Sequence, residues 1–100
     1  MYWHLMSQPS RSVKAILIAG GFPHTEVSID FFTHEQKGEA FKLINPRQQC
    51  PYIVQDGGFS LGESNAILKY LCETNAQVPE NYWPKDLKER ARVDMFLEYY

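Results

Sequence analysis

Two hydroxyls three residues apart, Ser7 and Ser10, stand in the run Ser7-Gln8-Pro9-Ser10, ahead of a segment of helical spacing. A proline there suits the first turn of a helix, so both hydroxyls fall at a helix N-terminus, where backbone N–H groups and the helix dipole favour an anion. A thiolate is one such anion. The plainer reading of Ser7 is a cap, because a serine ahead of a helix ordinarily accepts a backbone hydrogen bond. A second run, Gln49-Cys50-Pro51-Tyr52, puts a proline at the start of a strand. A cis bond there turns the chain and leaves residue 50 with backbone groups that an extended peptide can join as an added strand. An ordinary trans proline on an edge strand is the plainer account, since most X–Pro bonds are trans. In the third run, Glu63-Ser64 opens a helix. The N–H groups and serine hydroxyl suit a carboxylate and Glu63 suits an ammonium, which together are the charges of an amino-acid head group. Alone, a routine N-cap with an acidic neighbour explains it as well.

The elements that must position these runs follow from periodicity, which reads βαβαββα and then one more helix, with no internal repeat. The first strand is predicted over residues 2–6. Helix one carries Val13, Ile16 and Leu17 on one face and stops at Gly20-Gly21-Phe22-Pro23. Over residues 25–31, Val27, Ile29 and Phe31 alternate with Glu26, Ser28 and Asp30, which predicts a half-buried strand. A short, mobile helix is expected near residues 39–44, ended by Asn45-Pro46. Residues 52–55 and 59–61 flank Asp56-Gly57-Gly58, the glycine-rich turn of an antiparallel hairpin. Ser64 is expected to N-cap a helix running to about Thr74, whose Ala66, Ile67, Leu68, Tyr70 and Leu71 call for cover on two sides. Residues 75–84 read as a linker, and helical spacing resumes at Leu87. Phe96, Leu97, Tyr99 and Tyr100 have nothing left in the sequence to pack on, which implies a partner surface or further chain.

One hundred residues make one domain of ordinary soluble composition, 44% hydrophobic and 22% charged. The net charge of -2 gives no polyanion footprint, so nucleic acid is not an expected partner. Residues 1–6 carry no basic leader or signal-length apolar run, and no segment reaches membrane-spanning length, so a cytoplasmic setting is expected. Cys50 and Cys72 form no CxxC pair, and reduced thiols are preferred to a disulfide in that setting. His4, His24 and His34 share no ligand spacing, so no metal is expected. Lys88, Glu89, Arg90 and Arg92 read as a solvated or interdomain helical face.

In this order the three runs resemble the N-terminal, thioredoxin-like domain of glutathione transferases. Ser-Gln-Pro-Ser-Arg-Ser-Val is similar to the theta-class catalytic turn, and the stretch from Asn45-Pro46 through Gln49-Cys50-Pro51-Tyr52 to Gly62-Glu63-Ser64 resembles the family's cis-proline to glutamate-serine segment. Asn81-Tyr82-Trp83-Pro84 and Arg90-Ala91-Arg92-Val93-Asp94 resemble the theta interdomain linker and the helix after it. Delta-class enzymes share the serine turn, but the linker favours theta. The resemblance covers essentially the whole chain and implies an α/β fold, βαβαββα with a mixed four-stranded sheet, followed by the start of an all-helical second domain. The implied division is a glutathione-binding domain over 1–75, a linker over 76–85 and the first helix of the second domain over 86–100.

Carried over by position, the resemblance assigns Ser7 to the glutathione thiol, Cys50 and the Pro51 turn to the cysteinyl backbone, and Glu63 with Ser64 to the γ-glutamyl end. Where the family pattern has a histidine and a lysine on the glycine carboxylate, this chain has Gln36 and Gln49. Neutral amides lose the charge-assisted part of that bond, so weaker glutathione binding is expected unless Lys37, Lys42 or Arg47 substitutes. The first strand is shorter than the family's, and the helical domain that forms the electrophile pocket is absent after Tyr100, so both ends read as clipped. The implied activity is conjugation of glutathione, the substrate, to a small electrophile by a cytoplasmic homodimer without a metal, with poor turnover by this chain alone. Two alternatives stay open: a non-catalytic glutathione-binding or protein-interaction module, and a glutaredoxin-type oxidoreductase, whose nucleophile would be expected at position 7 or 10, both serine.

Overall fold

Residues 1–30, 33–74 and 77–98 are described by the structure, a computed structural model. Strand β1 (Tyr2–Trp3) pairs in parallel with β2 (Val27–Ser28), Tyr2 opposite Val27. Strands β3 (Ile53–Val54) and β4 (Ser60–Leu61) form an antiparallel hairpin with Ile53 opposite Leu61. One antiparallel bridge joins the two ribbons: Tyr2 donates its N–H to the Tyr52 carbonyl at 2.8 Å and accepts from Tyr52 at 3.1 Å. Among the described residues, the expected mixed four-stranded sheet is present only as two two-stranded sheets linked at one position. The first strand is also shorter than predicted. The chain turns after Trp3, where the His4 carbonyl accepts from Ser7 N–H at 3.0 Å and His4 Nδ1 accepts from Met6 N–H at 3.0 Å, leaving Leu5 and Met6 exposed. A two-residue β1 gives each neighbour little ladder to extend. The predicted alternation puts Ile29, just after β2, inside but leaves Val27 exposed, because β2 is an edge strand with so short a partner; Phe31 lies outside the described residues.

Helix α1 (Gln8–Ala19) buries Val13 and Leu17. Its end is a Schellman turn, in which Gly21 N–H reaches the Ile18 carbonyl at 3.1 Å and Phe22 N–H the Leu17 carbonyl at 3.0 Å. Gly21 supplies the positive φ, 64°, that this turn demands. Helix α2 (Glu39–Ile44) spans the residues expected of it and buries Phe41. The hairpin turn closes through Gly58 N–H to the Gln55 carbonyl at 3.0 Å, with Gly57 and Gly58 at φ 92° and 95°. Helix α3 (Ser64–Thr74) packs Ile67 and Leu71 against Val13, Leu17 and Ile53, and these five residues are the centre of the core. The cap of α3 is shifted from the expected Ser64: Ile67 N–H bonds the Glu63 carbonyl at 3.0 Å, so Ser64 lies inside the first turn. Glu63, at φ 63°, makes the turn from the hairpin into the helix.

Asn75 and Ala76 of the expected linker lie outside the described residues, and the rest of that segment is pinned at two points. Val78 is buried beside Gly20, and Trp83 donates its indole N–H to Glu73 at 2.8 Å while Arg90 stacks 4.8 Å over its ring. Helix α4 (Leu87–Glu98) joins α3 through polar ties, Asn65 Nδ2 to the Leu97 carbonyl at 3.0 Å and Lys69 to Asp94 at 2.6 Å. Leu97 lines a cleft with Ile16 and Leu68, so the expectation that it had nothing to pack on is corrected, whereas Phe96 stays 58% exposed. Tyr99 and Tyr100 lie outside the described residues.

Candidate functional site

Ser7 follows the turn after β1 and is the N-cap of α1, with extended backbone (φ -85°, ψ 112°) and Pro9 in the first helical turn. Its Oγ accepts the Ser10 N–H at 3.2 Å. That is the capping role, and it leaves the hydroxyl proton and a second lone pair unspent. Ser10 is fully buried, and its Oγ has no hydrogen-bond partner among the described residues.

Across from Ser7 runs the loop that follows α2. Its organiser is Asn45, a buried side chain whose Nδ2 donates to the Gln49 carbonyl at 2.7 Å and whose Oδ1 accepts from Arg47 N–H at 3.1 Å. By sequence spacing Asn45 reads only as a helix stop. An asparagine before proline is also the residue type that folds a turn back on itself through its own side chain, and that signal was in the sequence. The loop ends at Cys50 and Pro51, whose peptide bond is cis. The third wall is the start of α3, where Glu63 pairs with Arg47, Oε1 to Nη1 at 2.9 Å.

One concave pocket of about 730 Å³ is lined by all seven residues singled out from sequence, Ser7, Gln36, Gln49, Cys50, Pro51, Glu63 and Ser64. A volume of that size suits a small-molecule ligand. Lys37, Asn45, Arg47 and Tyr52 line it as well, whereas Lys42 is not among the lining residues. The Gln36 Oε1 is buried there without a hydrogen-bond partner. The pocket wall thus offers two cations, Lys37 and Arg47, one carboxylate, Glu63, and several neutral donors. Burial pushes the Cys50 thiol up to about 11, with the Glu35 charge adding to it, so Cys50 is a neutral thiol at physiological pH. Cys72, outside the pocket, is also raised by burial, and both cysteines are free.

Residues 2–79 match the family described as glutathione S-transferase, N-terminal domain. The chain belongs to that family. Within it the likeness is to the theta class. The chain is 36% identical to rat glutathione S-transferase theta-1 over 99% of its own length and 40% of the relative, and 38% identical to Arabidopsis thaliana glutathione S-transferase T1 over 100% and 40%. Among solved structures it is similar to human glutathione transferase theta-2 in complex with glutathione and an unknown ligand, at TM-score 0.89 and 37% identity, covering 98% of this chain and 40% of that one. The fold is accordingly the thioredoxin-like one of these transferases, and the chain spans about 40% of the length of the relatives it matches. Among its described residues no helix is long and apolar enough to cross a membrane.

Proposed function

We propose that this domain binds glutathione in the pocket and that Ser7 holds its thiol as a thiolate for attack on an electrophile. The observation that carries the reading is the convergence of Ser7, the Cys50-Pro51 turn and the Glu63-Ser64 corner on one pocket. The glutathione bound to human theta-2 supports the choice of ligand. In this reading Glu63 meets the γ-glutamyl ammonium, Ser64 and the first N–H groups of α3 meet the adjoining carboxylate, and the Cys50 backbone pairs with the cysteinyl residue. Gln36 and Gln49 offer neutral amides to the glycine carboxylate, and Lys37 lends that end a positive charge.

Ser7 acts as a donor, not as a base. The thiol proton leaves to water, the serine O–H points at sulfur, and the sulfur lone pair then forms a C–S bond while the electrophile's leaving group departs with its electron pair. A hydrogen bond to a charged group contributes roughly 1.5 to 3 kcal/mol, which at about 1.36 kcal/mol per pKa unit lowers the thiol by about one to two units. From a free value near 8.5, roughly, a large share of thiolate then exists at neutral pH. The full protein is proposed to be a cytoplasmic homodimer that conjugates glutathione to small electrophiles. A glutaredoxin-type activity is disfavoured, since positions 7 and 10 are serines and the pocket's one cysteine has its thiol raised to about 11.

Calorimetric titration of the chain with glutathione tests this reading. Binding that Glu63→Gln weakens by roughly tenfold is expected, from the loss of one charge-assisted bond. No heat of binding in the wild type would contradict it.

A further inference from the structure

We propose, on the reading that the pocket takes glutathione, that Arg47 joins Glu63 and the start of α3 in the head-group site, Arg47 sharing the glutamyl α-carboxylate with Ser64 while Glu63 receives the ammonium. Arg47 Nη1 lies 2.9 Å from Glu63 Oε1, so a cation and an anion sit side by side on the pocket wall. An α-amino acid carries the complementary pair on one carbon. Laid against the protein pair in the opposite sense, each ligand charge meets its opposite and the four charges alternate. The side chains are 68% and 60% exposed, so their pairing contributes little by itself and costs little to share with a ligand. Arginine suits the task because its planar fork matches a carboxylate with two parallel hydrogen bonds.

The surrounding backbone fixes where that fork can reach. Arg47 N–H is held by buried Asn45, and both Gln48 and Glu63 adopt positive φ, 55° and 63°, at the two sides of the pair. Charge counting gives the same division. Glutathione has two carboxylates and one ammonium, and the pocket lining has Lys37, Arg47 and Glu63 as its charged groups. Arg47 stands beside Glu63 and therefore serves the head group, leaving Lys37, next to Gln36, for the glycine end.

The test titrates wild type, Arg47→Gln and Arg47→Lys with three peptides: glutathione, γ-glutamylcysteine, and γ-aminobutyryl-cysteinylglycine, which lacks only the glutamyl α-carboxylate. Arg47→Gln should weaken glutathione and γ-glutamylcysteine alike by roughly three- to tenfold and leave the decarboxylated peptide unchanged. Arg47→Lys, which keeps charge but not the fork, should fall between, and guards against reading a folding defect as a binding one. Unchanged glutathione affinity in Arg47→Gln overturns the proposal. A loss shared by the decarboxylated peptide, or one that vanishes with γ-glutamylcysteine, overturns it too, the latter by placing Arg47 on the glycine carboxylate. Wild type that binds none of the three fails the glutathione reading itself, which is a separate result from loss of the arginine effect.

Discussion

A hydroxyl has a proton and two lone pairs, and at Ser7 the fold takes up one lone pair and leaves the rest for the proposed chemistry. One lone pair caps α1 through the Ser10 N–H, and the proton remains available for the proposed bond to the thiolate. The cap and the thiol partner, which compete as readings of the sequence, are therefore compatible as roles of one side chain. Cys50 is the opposite case, a reactive residue type made unreactive by its surroundings. Its thiol rises from 9.0 to about 11, so at neutral pH it carries about 100-fold less thiolate than in the unfolded chain. In a Cys72→Ser background, alkylation of Cys50 by iodoacetamide should be slower in the folded than the unfolded chain by that order, and should speed up only as pH approaches 11. The sign for stability follows: the fold favours the neutral thiol, so this contribution is complete below pH 9.0 and is lost as pH rises to about 11. Fast alkylation near neutrality would reopen the oxidoreductase reading. Ser7, Cys50, Glu63 and Ser64 were legible because turn and cap chemistry is local. The Arg47–Glu63 pair was not, since it joins residues sixteen positions apart through a fold that no local pattern encodes.

At the scale of elements, the helices were legible and the strands less so. Pro9, the Gly20-Gly21 stop and Asn45-Pro46 punctuate the chain, and helix hydrogen bonds close within four residues, so α1, α2 and α3 fall close to where spacing puts them. Strands depend on distant partners. The run over residues 2–6 has strand composition, yet His4 turns it into the approach to Ser7 after two paired residues. Among the described residues, the alternation at 25–31 likewise yields a two-residue edge strand. Gly20 illustrates a constraint that spacing could not reveal. A Cβ there would lie 2.5 Å from the Phe22 ring and 2.8 Å from Val78, which seats the linker against the end of α1. Gly20→Ala should destabilise the fold by roughly 1 to 3 kcal/mol through overpacking, a fall of several degrees in Tm by thermal melt. An unchanged Tm would mean that Val78 and Phe22 yield freely and that the linker is not seated there.

For the whole molecule, one core supports three pocket walls that lie far apart in sequence. Val13 and Leu17 of α1, Ile53 of β3, and Ile67 and Leu71 of α3 pack together, so the elements that carry Ser7, the Cys50-Pro51 turn and Glu63 rest on one core. Helix α4 stands outside that core. It buries no residue fully, and Leu87, Met95 and Phe96 face solvent, which agrees with a chain that spans about 40% of the length of its relatives. Glutathione binding and thiol activation are accordingly what is proposed for these residues, and conjugation is what is proposed for the full protein. The most direct test is the ultraviolet absorbance of the thiolate of bound glutathione, followed against pH in the wild type and in Ser7→Ala. The account predicts a bound thiol about one to two units below free glutathione in the wild type and a return to the free value in the variant. Equal values in both proteins would contradict it.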